Sequence, residues 1–278
     1  DLNKKANFGI FEIGMSKKGE IRNLTKIVKP DIAIITNVSS AHLENFKNIN
    51  GIALAKSEII GELSSNGILI LNKDDKYFKF FNKKAQDKKL KVLSFSKKSN
   101  SNSDIRLIKI VKLNKQARLY IKVKDKKINL SINLNLLPYI ENLLGVITVM
   151  SIFFDVNIFK KNLFSNYNVP FGRGNFIRYR VKNKIVNIID ESYNSNPLSF
   201  EFSLNKFNNL NVNSKKKIVL LGDMLELGKK SKKLHEGLSK NLNNSDVNKV
   251  HIYGKLVKYT FNKIKTQKKG IVFRSIDE

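Results

Sequence analysis

The residues best suited to chemistry lie in four stretches. The first runs from Pro30 to Ile60 and holds His42, Glu44 and Lys56. Ile32 to Ile35 is a short β-branched run, as expected of a buried strand. A loop of small polar residues follows and carries His42 just past the strand's carboxyl end. Ile49, Ile52, Ala53, Lys56, Ile59, Ile60 and Leu63 then recur at helical spacing, which predicts one helix with Lys56 on its mostly apolar face. Ligands of open α/β sheets bind at the carboxyl ends of strands, so an imidazole and a lysine there suit a phosphate-and-metal site. Each also has a plainer reading: a surface histidine, and a lysine that snorkels its ammonium to water.

The second stretch, Phe8 to Ile13, reads as a strand with Glu12 near its carboxyl end and Gly14 closing it. A carboxylate in that position holds a metal over a triphosphate in P-loop enzymes, or is simply a strand-end acid in water. The third, Gly172-Arg173-Gly174, places a fixed charge with forked donors in a glycine turn. On its own it is equally an ordinary turn. The fourth, Asp190-Glu191-Ser192-Tyr193-Asn194-Ser195-Asn196-Pro197, crowds polar groups at the end of a strand over 185–189. Pro197 fits the first turn of a helix, so a helix cap with a turn also accounts for it.

Two decoys are set aside. Gly222 to Ser231 imitates a phosphate loop, but its glycines stand too far apart for G-x-x-x-x-G-K-[ST], and Lys230 occupies the Ser/Thr position. His235 begins His-Glu-Gly-Leu-Ser, which lacks the second histidine of H-E-x-x-H.

The elements that must position these groups alternate. A helix is expected from Gly19-Glu20 to about Val28, stopped by Pro30. Strands are expected at 67–71 and 91–96, and antiparallel hairpins over 105–136 with a turn at Asp125-Lys126-Lys127. Asn142 to Phe154 is nearly all apolar; at about 13 residues it falls short of the ~20 a membrane span needs and fits a buried helix. Beyond a linker at 164–169, strands at 217–221, 250–253 and 270–273 alternate with helices at 231–243 and 255–265. From 184 onward this predicts a parallel, Rossmann-like sheet.

The net charge is +29, from 52 Lys and Arg against 23 Asp and Glu. Such a charge suits a polyanion. However, the lysines are scattered, and neither an arginine-rich block nor an RNA-binding aromatic signature occurs, so the plain reading is solvated surface without a nucleic-acid partner. With no cysteine there is no disulfide framework and no thiolate metal site.

Thr36-Asn37-Val38-Ser39-Ser40-Ala41-His42-Leu43-Glu44-Asn45-Phe46, followed by Ala55-Lys56-Ser57-Glu58-Ile59, resembles a signature of the Mur ligase family, the ATP-dependent amide ligases of peptidoglycan synthesis. Glu12-Ile13-Gly14 is similar to that family's metal-binding glutamate triplet. Asn72-Lys73-Asp74-Asp75 is similar to its N-x-D-D turn. Asp190 to Pro197 and Leu221 to Gly228 resemble signatures of the subgroup that adds D-alanyl-D-alanine. The resemblance covers essentially the whole chain. It departs ahead of Asn142, where Leu136, Pro138 and Tyr139 replace the usual Gly, His and first Asn.

The resemblance implies a fold and a set of roles. The fold is α/β: a central ATP-binding domain of P-loop type over 1–165, with a parallel sheet and antiparallel edge strands, then a Rossmann-like domain for the amino substrate over 166–278. Glu12, His42 and Lys56 would hold two Mg²⁺ ions, Lys56 as a carbamate. Catalysis would rest on Lys56, His42 and Arg173. ATP would meet Asn142, Arg173, Asp190, Tyr193, Asn194 and Asn196. The substrates implied are UDP-N-acetylmuramoyl-tripeptide and D-alanyl-D-alanine, and the enzyme a cytoplasmic monomer without stable membrane insertion. The phosphate-cradling glycine loop of the family lies ahead of Glu12-Ile13-Gly14, so this chain reads as a fragment and is expected to be inactive alone. The alternatives are a sister ligase of the Mur or folylpolyglutamate type, and a basic nucleic-acid-binding protein.

Overall fold

A computed structural model describes residues 5–39, 46, 48–114, 116–210, 216–275 and 277. The chain divides into two compact units after Asn168.

In the first unit, helix α1 (Glu20–Val28) starts behind Gly19, whose φ of 93° favours glycine. It buries Ile21 and Thr25 and ends at Val28, ahead of Pro30, as expected. Its amino end is capped from a distance: the Glu58 carboxylate accepts from the Gly19 and Arg22 amides at 2.9 and 3.2 Å.

Six strands follow: β1 (Ile32–Ile35), β2 (Ile68–Asn72), β3 (Lys91–Ser96), β4 (Ile105–Lys112), β5 (Gln116–Val123) and β6 (Lys126–Asn133). They form one sheet in that order, parallel from β1 to β4 and antiparallel from β4 to β6. The alternation read on β5 is realised, with Ala117, Leu119, Ile121 and Val123 fully buried. The turn before β6 is Lys124-Asp125 rather than 125–127. Lys124 takes a φ of 52° and donates its amide to Asp104, so Lys126 and Lys127 already belong to β6.

The expected single helix over 49–63 is broken into α2 (Ile49–Lys56) and α3 (Glu58–Gly61). The Ser57 hydroxyl donates to the Leu54 carbonyl at 2.7 Å, and Glu58 turns inward to cap α1. Helix α4 (Phe78–Asp87) joins β2 to β3.

Helix α5 (Ile140–Phe153) lies on β2 and β3. With the 3-10 turn ahead of it, Leu134–Phe153 is 20 residues of mean hydropathy 1.7, long and apolar enough to cross a membrane by length and composition. One face packs on the sheet, although only 39% of the span is buried. Leu144 and Ile147 are fully buried, and a Cβ added at Gly145 would stand 2.9 Å from Ile34.

The strand expected at Phe8 to Ile13 does not form; β1 pairs only with β2 among the described residues. The Phe8 ring is drawn instead to Phe153 and Phe154 at the end of α5, with centroids 4.7 and 6.4 Å away, and Ile10 stays 96% exposed.

The second unit begins with a hairpin, β7 (Asn175–Val181) against β8 (Lys184–Asp190). Helix α6 (Pro197–Asn208), β9 (Ile218–Leu221), α7 (Ser231–Asn244), β10 (Lys249–Tyr253), α8 (Lys258–Lys263) and β11 (Lys269–Phe273) follow. Strands β9, β10 and β11 form a parallel sheet in the order β11-β10-β9. Strand β8 is not in that sheet, contrary to the alternation read from 184 onward. Its neighbour is β7, because the short Lys182-Asn183 turn makes antiparallel pairing immediate. The core of this unit gathers Leu204, Leu221, Met224, Leu238, Leu242, Val250 and Ile252.

Candidate functional site

In the first unit the polar groups collect where strands β1 to β3 end. Asp75 ties three segments together. One carboxylate oxygen accepts from the Val38 amide, just past β1, at 2.7 Å. The other accepts from the Tyr77 amide at 2.7 Å. The Tyr77 hydroxyl then reaches Asn50 on α2 at 2.6 Å. Lys56, the last residue of α2, is half-buried. Burial pushes its amine below the usual lysine range, and the charge of Asp75 opposes that shift.

Beside this cluster, Asn72 is buried and donates to Glu141, in the first turn of α5, at 3.4 Å. Lys97 pairs with Glu141 at 2.5 Å. Asp74 accepts from the Ser96 hydroxyl and the Lys97 amide. Asn142 is exposed one residue beyond Glu141.

The metal trio is not gathered among the described residues. Glu12 is exposed on the unpaired segment ahead of α1. His42 lies outside the described residues. No three His, Cys, Asp or Glu side chains form a metal cluster among those described.

In the second unit the hairpin unites two stretches that lie apart in sequence. Register sets Asn175 opposite Asp190. The Gly-Arg-Gly turn precedes β7 and the Asp190 loop follows β8, so the two meet at one hairpin end. The Gly174 amide donates to the Asp190 carbonyl at 2.6 Å, and the Tyr193 amide to the Gly172 carbonyl at 3.1 Å. Gly172 has a φ of 74°, and an added Cβ would stand 2.8 Å from the backbone nitrogen of Tyr193. The Arg173 guanidinium lies 4.3 Å from the centroid of the Tyr193 ring. The Asp190 carboxyl is held below its usual range, first by the Ser192 side chain, then by the Ser192 and Gly172 amides, with burial partly opposing.

Asn194 is exposed between Tyr193 and α6. Asn196 is the N-cap of α6: its side-chain oxygen accepts from the Leu198 and Ser199 amides at 3.0 Å, and Ser199 answers from the third position.

Residues 1–150 match the Mur ligase middle domain, and residues 172–278 match the domain described as Mur ligase, glutamate ligase domain. The chain belongs to the Mur ligase family.

Among Mur ligases, it is 34% identical over 281 residues to the UDP-N-acetylmuramoyl-tripeptide--D-alanyl-D-alanine ligase of Buchnera aphidicola subsp. Baizongia pistaciae, covering 100% of this chain and 58% of that protein. It is 31% identical over 273 residues to the enzyme of the same name from Rickettsia prowazekii, covering 98% and 59%. The chain therefore spans less than two thirds of these relatives' own length. In fold it is similar to a crystal structure of MurF from Acinetobacter baumannii, with a TM-score of 0.79 at 23% identity over 97% of this chain and 56% of the other. A Thermotoga maritima MurF ligase in complex with ADP gives a TM-score of 0.68 at 25% identity over 92% and 56%.

Three residues that tie segments of this Mur ligase chain together, Asn50, Tyr77 and His235, lie outside the family signatures. Asn50 and Tyr77 carry no motif of their own. His235 was dismissed as a metal ligand, yet its spacing to Leu238 and Leu242 marks the buried stripe of α7.

Proposed function

We propose that this chain is the nucleotide-binding and amine-accepting part of an ATP-dependent ligase that joins D-alanyl-D-alanine to UDP-N-acetylmuramoyl-tripeptide. The observation that carries the reading is the meeting of Arg173, Asp190 and Tyr193 at one hairpin end, where the Gly-Arg-Gly turn joins the Asp190 to Pro197 signature. The relatives' names support the choice of substrates.

The tripeptide's terminal carboxylate attacks the γ-phosphorus of ATP. The bond to ADP breaks and an acyl phosphate forms. The free amine of D-alanyl-D-alanine attacks its carbonyl carbon, phosphate leaves, and the nitrogen gives up a proton. Phosphoryl transfer of this kind depends on positioning and charge neutralisation more than on covalent help from the protein.

Each residue has a part in that scheme. Arg173 turns its N–H fork to the phosphates while the Tyr193 ring supports its face. Asp190, kept ionised, accepts from the ribose hydroxyls, with Asn194 and the Asn196 turn beside it. Asn142 takes the adenine edge. Lys56 fits carbamate formation, which requires a neutral amine, because its burial favours that form. A carbamate is a hard oxygen donor suited to Mg²⁺, and Glu12 and His42 would complete the holding of two ions. When bound, those ions neutralise charge on the transferring phosphoryl group. In this scheme residues 1–165 serve ATP, and residues 166–278 receive the amine and lend Arg173 and the Asp190 loop to the nucleotide, in a monomeric cytoplasmic enzyme.

The test replaces the matching region of the Buchnera relative with this chain. The chimera is incubated with ATP, Mg²⁺, UDP-N-acetylmuramoyl-tripeptide and either D-alanyl-D-alanine or glutamate. Mass spectrometry is expected to find the D-alanyl-D-alanine adduct, with ADP and phosphate in equal amounts. Preference for glutamate, or no adduct, refutes the assignment.

A further inference from the structure

The loop Gly222 to Gly228 leaves the carboxyl end of β9, the side of a parallel sheet where ligands bind. It is clamped at two points. Asp223 accepts from the Val257 and Lys255 amides at 2.8 and 2.9 Å, which fixes it to the segment after β10. The second clamp is His235 on α7, fully buried and outside every signature. Its Nε2 accepts from the Met224 amide at 3.1 Å, and its Nδ1 lies 2.9 Å from the Ser231 carbonyl.

These partners determine the tautomer. A carbonyl only accepts and a backbone N–H only donates, so Nδ1 carries the proton and Nε2 is bare. The helix is anchored in turn, since the Thr260 hydroxyl donates to the His235 carbonyl at 2.6 Å. Met224 is buried, whereas the next residue, Leu225, is 72% exposed. The imidazole thus holds the point where the loop turns from core to surface.

We propose that His235 is a positioning residue for the amine substrate: as the neutral Nδ1–H tautomer it fixes the Met224 end of the loop, and with it the surface that receives the amine. The proposal rests on the amide-ligase reading above. Removing the imidazole acceptor frees the loop without touching the nucleotide residues of the hairpin.

The test has two arms. In the 278-residue chain, ¹⁵N-histidine spectra are expected to show a protonated Nδ1 and an unprotonated Nε2 for His235. Hydrogen exchange at the Met224 amide is expected to quicken about tenfold in H235L and much less in H235Q, whose amide oxygen restores an acceptor. In the chimera, H235L is expected to raise KM for D-alanyl-D-alanine about tenfold, the ratio one hydrogen bond is worth, with KM for ATP unchanged and H235Q restoring most of it.

A protonated Nε2, or unaltered Met224 exchange in H235L, overturns the anchoring. Equal rises in both KM values overturn the positioning role, since a merely structural residue disturbs both. If H235L does not fold, the ring tautomer of the parent and the H235Q kinetics still decide. A parent chimera that makes no D-alanyl-D-alanine adduct removes the amide-ligase reading, and the proposal falls with it. In a chimera that works, the two KM values judge His235 alone.

Discussion

Replacing Gly172 by alanine pushes the Gly-Arg-Gly turn away from the Asp190 loop where Gly172 meets Tyr193. The residue sits at a φ of 74°, where an L side chain costs about 1–2 kcal/mol. The new Cβ would also stand 2.8 Å from both the backbone nitrogen and the Cβ of Tyr193. Backbone does not yield as a flexible side-chain tip does, so overpacking adds about 1–3 kcal/mol. Together these make about 3 kcal/mol a central figure, a large fraction of the roughly 5–15 kcal/mol that holds a domain folded. With a urea m-value of about 2 kcal/mol/M, the second unit's unfolding midpoint should fall by about 1.5 M. The measurement is urea denaturation followed by far-UV circular dichroism, with the Gly174 amide resonance as a local reporter. Gly14→Ala is the control, since an added Cβ there meets nothing within 4 Å. The chimera carrying G172A should also lose ATP affinity, because Arg173 and Tyr193 cannot keep their stack. If G172A unfolds within about 0.3 M of the parent, the turn and the Asp190 loop are not packed as described.

Other outcomes follow from single groups. Lys56 is depressed by burial, so its charged form costs stability below the folded pKa, and that cost disappears as pH rises toward the ordinary lysine value of 10.5. The stability of the parent minus that of K56M should therefore rise with pH as the depressed amine loses its proton; urea midpoints across that range test it, and a flat difference denies the burial effect. Asn196→Ala removes both cap bonds of α6 and should cost about 0.5–2 kcal/mol, with Asn196→Ser restoring most of it; calorimetry decides. Leu144→Ala opens a void under α5 and should cost about 2–5 kcal/mol by urea titration, whereas a helix lying in a lipid bilayer rather than on the sheet would tolerate it.

The parallel core was the most legible part of the sequence. Strands β1 and β2 are short apolar runs, and a run of that kind has few other uses. The β4 to β6 ribbon announced itself by alternation. Phe8 to Ile13 misled for a physical reason: a strand needs a neighbour as well as a pattern, and its phenylalanine found rings on α5 instead. Strand β7 went unread because Arg178 and Arg180 interrupt its apolar residues, and pairing with β8 rather than burial makes it a strand. At the candidate site the signature residues were visible, but their supports were not. Asp75 stood in a recognisable turn, yet its bond to Val38 spans the whole crossover from β1 to β2. His235 offered only its place on a buried stripe.

Lys56 is the last residue of α2, and its position there has a consequence for any modified form. A helix carboxyl end presents outward-facing carbonyls that favour a cation and disfavour an anion by about 0.3–1 kcal/mol. Carbamylation would exchange the one for the other, against the local field. Cations standing over the modified side chain would offset that cost. Dissolved carbon dioxide and magnesium would bind as linked ligands, each raising the other's affinity by the same factor. In the proposed ligase, gas pressure alone would then shift the metal-binding curve.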